Sequence, residues 1–122
     1  MKTVAVIGAS RDRTKFGNRA VRGFLRQGYT VVPVNPHEET IEGLHAYGSV
    51  LDVPQFIDMA TVYVRPAEAV MVVDEVAKKG IPELWLNPGT DAPLVVERAR
   101  ELGLDPIVSC SLMAIGELPE AV

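Results

Sequence analysis

Short apolar runs alternate with longer segments of helical periodicity along the chain. The apolar runs lie at residues 4–7, 30–34, 60–64, 84–86 and 106–108. The helical patterns begin at residue 16 or 17, at 66 and at 93, and they end at the glycines at 28, 80 and 103. Proline at a first helical position and glycine after the last turn suit these boundaries. The alternation is typical of βαβ units and predicts a parallel sheet.

The apolar runs are continuous rather than alternating, which indicates strands covered by helices on both faces. We therefore predict an α/β fold, a Rossmann-like doubly wound parallel sheet of about five strands in three layers. The length of 122 residues and the 48% of apolar residues suffice for one core. We expect a single domain over residues 1–122.

Three local features refine this prediction. On the first helix, one apolar stripe is expected to comprise Phe16, Ala20, Val21, Phe24 and Leu25, with Arg19, Arg22 and Arg26 on a solvated opposite face. Asp52, ahead of a Val-Pro pair, suggests a short helix that it caps. Pro33 lies inside the second strand, where proline is disfavoured unless pairing is incomplete.

Several functional classes are disfavoured by composition. No apolar run approaches the ~18 residues that cross a bilayer, and only two residues precede the first strand, so neither a membrane span nor a secretory signal is expected. We expect a cytoplasmic protein. The single cysteine, Cys110, cannot form an internal disulfide and is expected to be a small buried apolar residue. His37 and His45 stand apart from it, without metal-ligand spacing.

Charge is concentrated at the start of the chain. The net charge is −4, yet residues 1–30 carry seven basic side chains and one acidic one, Asp12. A basic region within an acidic protein suits a small anion better than a long phosphate backbone. The sequence therefore argues against nucleic acid as a partner.

Small and polar residues follow each predicted strand, where open α/β sheets bind ligands. These strand ends read Gly8-Ala9-Ser10, Asn35-Pro36, Arg65-Pro66, Asn87-Pro88-Gly89 and Ser109-Cys110-Ser111. Small residues permit close backbone approach, and the Asn, Ser and Arg side chains offer hydrogen bonds to an oxygen-rich ligand. Together they predict a lined crevice.

The first strand-turn-helix is the strongest candidate site. The free amides at the start of the helix favour a phosphate, and three cations surround that start. The candidate residues here are Gly8, Ala9, Ser10, Arg11, Arg13, Lys15, Gly17 and Asn18. The alternative is that Gly8 merely makes a tight turn and the cations are solvated loop charges.

Two common nucleotide motifs are absent. The dinucleotide fingerprint G-x-G-x-x-G does not occur, and Asn35-Pro36 ends the second strand where an acid would receive the ribose hydroxyls of NAD. NAD is therefore disfavoured. No G-x-x-x-x-G-K-[ST] occurs either, which counts against ATP hydrolysis.

The chain resembles the CoA-binding domains found as small stand-alone bacterial proteins, which are similar to the amino-terminal domain of the succinyl-CoA synthetase α subunit. The resemblance rests on the order and spacing of residues 6–10 (VIGAS), 28–29 (GY), 32–36 (VPVNP), 64–66 (VRP) and 85–89 (WLNPG), with Gly43 and Cys110. The family's second strand commonly carries a proline, as at Pro33. The family often has Asp-Arg before the cysteine, where this chain has Val108-Ser109.

The resemblance implies a Rossmann-type fold with coenzyme A lying across the strand ends. The phosphates would meet Gly8, Ala9, Ser10 and the loop to Gly17, and the adenosine would lie near Asn35, Pro36, Val64, Arg65 and Pro66. Asn87 and Gly89 complete the candidate set. Arg65 could equally be a solvated residue at a helix start, and Asn87 and Gly89 could simply form a turn.

Three functions remain open at this point. The first is a non-catalytic module that binds CoA or acyl-CoA, because the phosphohistidine and ATP-grasp domains of the synthetases are not found in these residues. The second is a small NAD(P)-dependent oxidoreductase or redox sensor on the same fold. The third is a scaffold that forms a homodimer or binds a protein partner through exposed apolar residues such as Met71.

Overall fold

The secondary-structure elements follow the βαβ pattern predicted from the sequence. A computed structural model describes residues 1–122. Its strands are β1 (Thr3–Ile7), β2 (Thr30–Val34), β3 (Thr40–Ile41), β4 (Leu44–His45), β5 (Met59–Val62), β6 (Glu83–Leu86) and β7 (Ile107–Val108). Its α-helices are α1 (Phe16–Arg26), α2 (Pro66–Lys79), α3 (Pro93–Glu101) and α4 (Ser111–Ala114), with 3₁₀ turns at Val50–Asp52 and Pro119–Ala121.

Five strands form one parallel sheet in the order β2-β1-β5-β6-β7, and β3 and β4 form a separate antiparallel hairpin. The chain builds outward from β1 to β2, then crosses back to β5 on the other side of β1. The winding direction therefore reverses between β1 and β5, which is where open α/β sheets bind their ligands. The predicted Rossmann-like, doubly wound fold is confirmed.

Each face of the sheet carries its own hydrophobic core. Ala5 and Ile7 of β1 belong to the core beneath α2 and α3, whereas Val4 and Val6 belong to the core beneath α1. Because neighbouring residues of a strand point to opposite faces, both faces of β1 must be apolar. This explains the continuous apolar run and confirms the three layers.

The packed face of α1 differs from the predicted stripe. Phe16 and Leu25 are 52% and 39% exposed, so their assignment to the core was wrong. Buried glycines extend the packed face instead, since a Cβ on Gly23 would lie 2.5 Å from Leu112 Cδ2. The glycines allow close approach of α1 to its neighbours, and this turns the helix so that Phe16 lies outside the core.

The predicted solvated face of α1 is only partly solvated. Arg26 is exposed, but Arg19 and Arg22 are half-buried. Arg22 Nη2 donates to the carbonyl of Arg13 at 2.8 Å, and Arg19 Nη1 donates to the carbonyl of Pro119 at 3.1 Å. Arg19 and Arg22 therefore anchor α1 to neighbouring segments.

Pro33 is accommodated because β2 is an edge strand. It pairs with Val6 of β1 on one side only. The carbonyl of Val34 accepts from Gly8 N on that side, whereas the carbonyl of Pro33 accepts from Tyr47 N on the outer side. Backbone groups alternate along a strand, so the nitrogen of Pro33 faces outward, where the β1 ladder needs no donor. The expectation of incomplete pairing is confirmed.

Three further details correct the sequence predictions. The third main strand ends at Val62 rather than residue 64, which releases Tyr63 and Val64 into the following loop. β7 is an exposed edge, with Val108 47% exposed, so this strand is not covered on both faces. The short helix after β4 is capped by Ser49, whose Oγ accepts from Leu51 N, and not by Asp52, which ends it.

Two further properties concern the whole chain. The longest helix, α2, has 14 residues, and none of the helices has the length and apolar character required to cross a membrane. No three His, Cys, Asp or Glu side chains are grouped so that they could hold a metal ion.

Candidate functional site

Two glycines bring the start of α1 against the end of β1. Gly8 has a φ of +92°, and a Cβ there would lie 2.8 Å from the carbonyl carbon of Tyr63. A Cβ on Gly17 would lie 2.1 Å from the carbonyl oxygen of Gly8. Neither position has room for a side chain, so the backbone itself forms the surface of the strand end.

Unpaired backbone amides surround this turn. The N–H groups of Ala9, Ser10, Phe16 and Gly17 donate no hydrogen bond within the chain. Lys15 precedes the helix without a capping side-chain bond, and the first turn of α1 contains no acidic residue. Free amides together with the positive end of the helix dipole favour an anion at this point.

The three predicted loop cations remain largely exposed. Arg13 Nη1 lies 3.0 Å from Glu42 Oε1, and Arg11 Nη1 lies 3.7 Å from Glu38 Oε2. The arginine side chains keep 63% and 68% of their surface exposed despite these ion pairs. They therefore border the turn as solvent-exposed positive charge rather than as buried structural groups.

Asn18 and Asn35 brace the loops around the turn. Asn18 is fully buried, and its Nδ2 donates to the carbonyl of Ser10 at 2.8 Å and to Glu42 Oε2 at 3.1 Å. Asn35 Nδ2 donates to the carbonyl of Ala9 at 2.8 Å. These amides hold the β1 loop in place through its carbonyl groups.

Three adjoining clefts run along this edge of the sheet. The proximal cleft, of about 310 Å³, is lined by Ile7, Gly8, Val34, Asn35, Pro36, His37, Gly48, Val64, Glu68, Met71, Val72 and Glu75. The central cleft, of about 240 Å³, is lined by Gly8, Lys15, Phe16, Gly17, Tyr63, Val64, Arg65, Pro88, Gly89 and Thr90. The apolar cleft, also about 240 Å³, is lined by Phe16, Tyr63, Asn87, Pro88, Cys110, Leu112, Met113, Pro119 and Glu120.

The clefts share walls and so form one groove. Gly8 and Val64 line both the proximal and the central cleft. Phe16, Tyr63 and Pro88 line both the central and the apolar cleft. The unpaired amides of Phe16 and Gly17 thus lie in the middle of the groove.

The groove brings together most of the predicted site residues. Those that line it are Gly8, Lys15, Gly17, Asn35, Pro36, Val64, Arg65, Asn87 and Gly89. Those that line none of the three clefts are Ala9, Ser10, Arg11, Arg13, Asn18 and Pro66. Ser10 Oγ accepts from Asp12 N, Ala9 is buried and Pro66 begins α2. A direct ligand contact from this second group stays a prediction.

Sequence reasoning missed several residues that line the groove, among them Phe16, Tyr63, Met71 and Cys110. Phe16 was assigned to the core and Tyr63 to a strand, Met71 was considered only for a partner surface, and Cys110 was expected to be buried. Cys110 is in fact half-buried. No sequence pattern marked Phe16 as exposed, because the contact between Gly17 and Gly8 depends on the angle at which the helix crosses the strand end.

A buried polar network lies beneath the apolar cleft. Ser111 Oγ lies 2.7 Å from Thr61 Oγ1 and 3.2 Å from the Tyr63 hydroxyl. Asn87 Nδ2 donates to Thr61 Oγ1 at 2.6 Å. Burial raises the pKa of Tyr63 above its ordinary value of 10.0. The phenol is therefore neutral, with its proton in place, at physiological pH.

Comparison with known proteins identifies the family. The family model for the CoA binding domain matches residues 2–116. The chain belongs to this family of CoA-binding domains. The resemblance inferred from the sequence motifs, to CoA-binding domains similar to that of the succinyl-CoA synthetase α subunit, is thereby confirmed.

Relatives of this CoA-binding domain include much larger enzymes. The ADP-forming acetate-CoA ligase II of Archaeoglobus fulgidus is 45% identical over 82 residues, which are 66% of this chain and 12% of the ligase. A conserved hypothetical protein from Pyrococcus furiosus is 30% identical, with a TM-score of 0.86 over 93% of this chain and 99% of that chain. The dinucleotide-forming acetyl-coenzyme A synthetase 1 of Ca. Korarchaeum cryptofilum, solved with phosphate and ADP, is 29% identical, with a TM-score of 0.78 over 88% of this chain and 25% of that one.

Proposed function

We propose that this chain binds coenzyme A, or an acyl-CoA thioester, without covalent attachment along the groove at the carboxyl ends of β1, β2, β5 and β6. The observation that carries the proposal is the order of the three clefts around the unpaired amides of Phe16 and Gly17. Coenzyme A has a nucleotide at one end, a diphosphate in the middle and a long arm at the other end. Family membership supports the same ligand.

The central cleft suits the diphosphate. Lys15 and Arg65 line it, and Arg11 and Arg13 lie beside it. The carboxylates that now pair with these arginines are exchangeable partners, because exposed ion pairs contribute only about 0–1 kcal/mol. A ligand phosphate can therefore take over the arginines at little cost, and the amides at the start of α1 add hydrogen bonds.

The proximal cleft suits the adenosine. Its walls include the apolar side chains of Met71 and Val72 from α2, which can pack against a base, and the Asn35-Pro36 pair at the end of β2. The apolar cleft at the other end of the groove then receives the arm. This orientation is the one implied by the family resemblance.

The proposal is one of binding and assigns no catalytic residue. Cys110 lines the groove, yet no base is hydrogen-bonded to it. The ADP-forming ligase activity is that of a much longer protein, and the match to this chain spans only 12% of that ligase. A module of this kind presents or stores CoA, and a protein partner or a second copy of the chain is the expected user of the bound ligand.

An NAD(P)-binding role is the competing function. NAD sites use an acid after the second strand to hold the ribose hydroxyls. Asn35 stands there instead, with its amide engaged by Ala9 O and its Oδ1 by His37 N. Glu38, which follows, is paired with Arg11. These contacts favour CoA over NAD(P).

A thermal-shift series tests the proposal. CoA at about 100 times its dissociation constant should add about 2.7 kcal/mol to the free energy of unfolding, which is a shift of several degrees for a chain of this size. NAD and NADP at the same concentrations should shift the midpoint less. A larger shift with NAD(P) than with CoA, or none with CoA and its thioesters, would contradict the proposal.

A pair of charge variants locates the binding. Lys15→Gln removes a cation that lines the central cleft, so the affinity for CoA should fall by about three- to tenfold. Lys78→Gln removes an exposed cation near the far end of α2 and should leave the affinity unchanged. Equal effects of the two substitutions would place the ligand elsewhere.

A further inference from the structure

The hydrogen bonds beneath the apolar cleft form a chain in which each group donates to the next, and this chain begins at Asn87. Its Oδ1 accepts from the backbone N–H of Ser111 at 2.9 Å, which fixes the orientation of the amide. Its Nδ2 then donates to Thr61 Oγ1 at 2.6 Å and to the carbonyl of Val62 at 3.0 Å. Both amide protons are used, so Asn87 acts towards Thr61 only as a donor.

The chain of donors and acceptors continues through two buried hydroxyls, those of Thr61 and Ser111. Thr61 is fully buried, and the one acceptor its own proton can reach is Ser111 Oγ, 2.7 Å away. A buried hydroxyl proton without an acceptor is costly, so Thr61 donates to Ser111. Ser111, also fully buried, then has the Tyr63 oxygen as the acceptor for its own proton, at 3.2 Å.

Tyr63 is the last group in this chain of hydrogen bonds. Its oxygen accepts from Ser111, and its own proton therefore has no acceptor within the chain. The side chain is half-buried and lines both the central and the apolar cleft. The surrounding wall contains the apolar side chains of Phe16, Leu112 and Met113. A hydrogen bond formed in such surroundings is stronger than one formed in water.

We propose that Tyr63 is a specificity-determining donor, whose hydroxyl binds a carbonyl oxygen on the arm of the ligand in the apolar cleft. The inference rests on the proposed function, since it presupposes that the arm enters this cleft. The chemical class of the acceptor is an amide or thioester carbonyl, a neutral group that accepts one hydrogen bond from the phenol. The raised pKa of the phenol keeps the donor proton in place.

Calorimetric titration of Tyr63→Phe tests this proposal with three ligands. ADP lacks the arm, CoA carries its amides, and acetyl-CoA adds a thioester carbonyl. We expect the substitution to weaken CoA and acetyl-CoA binding by about tenfold and to leave ADP binding unchanged. A greater loss for acetyl-CoA than for CoA identifies the thioester carbonyl as the acceptor, and an equal loss identifies an amide carbonyl.

Tyr29→Phe is the matched control. Tyr29 packs edge-on against Phe24 with ring centroids 4.9 Å apart. It directly precedes β2, at the amino-terminal end of that strand, whereas the groove lies at the carboxyl ends of the strands. Its substitution should change no affinity. Unchanged CoA binding in Tyr63→Phe, or an equal loss for ADP and CoA, would overturn the inference. Failure of the wild-type chain to bind CoA would instead overturn the proposed function.

Discussion

Gly8 and Gly17 meet across the turn between β1 and α1, and neither site has room for a Cβ atom. This contact fixes where the first turn of α1 begins, and hence where its unpaired amides lie. The sequence indicated a phosphate turn from Gly8 and the basic residues. It could not indicate that Gly17 touches the Gly8 carbonyl, because that contact depends on the angle at which the helix crosses the strand end.

Gly17→Ala should destabilise the chain. The new methyl group would lie 2.1 Å from a backbone oxygen, so the helix must shift, at a cost of about 1–3 kcal/mol. Gly48→Ala is the control, because its nearest heavy atom would be 3.8 Å away, and its effect should stay within about 0.5 kcal/mol. Urea unfolding measures both, and similar losses would contradict the packing described for Gly17.

Glu42 is the one non-glycine residue with a positive φ, 50°, in the hairpin between β3 and β4. Its carboxylate contacts Arg13 and the buried amide of Asn18, and these contacts offset the backbone strain. Glu42→Ala and Glu42→Gly both lose the contacts, but only alanine keeps the strain. In thermal unfolding the alanine variant should be less stable than the glycine variant by about 1 kcal/mol. Equal stability would show that the turn is unstrained.

At the scale of elements, the strands were the most predictable part of the fold. Both faces of β1 and β5 are covered, so their apolar runs are uninterrupted. α1 was harder to predict, since buried glycines and Asn18 replace the apolar residues expected on its packed face. Tyr63 was likewise placed inside a strand, because an aromatic residue in an apolar run looks the same whether it lies in the strand or just beyond it.

The loop before α1 is closed by a local turn that should respond to pH. Thr14 donates to Asp12 Oδ1 through its hydroxyl at 2.7 Å and its N–H at 3.0 Å. These bonds lower the pKa of Asp12 below 3.8. The stabilisation is present above the unfolded-state pKa and is lost as the pH falls through the lower folded-state value.

Thr14→Val should therefore move the pKa of Asp12 back towards 3.8, because it removes the side-chain bond, the larger cause of the shift. A carboxyl NMR titration measures the change directly. An Asp12 titration that is the same in both proteins would show that the turn does not form in solution.

At the scale of the whole molecule, the order of the strands in the sheet determines where the groove lies. The reversal of winding between β1 and β5 opens the crevice, and the loops after β1, β2, β5 and β6 line it. The sequence predicted these strand ends as one site, because the carboxyl ends of parallel strands share an edge. The division into three clefts depends on side chains from α2 and α4, such as Met71 and Met113, whose orientation no sequence pattern reveals.

Calorimetric titration of the wild-type chain with CoA tests the central claim most directly. We predict saturable binding of one CoA per chain, tighter than the binding of NAD or NADP under the same conditions. A dissociation constant of about 1 mM corresponds to a binding free energy of only about 4 kcal/mol. Absence of CoA binding at about 1 mM ligand would contradict the account.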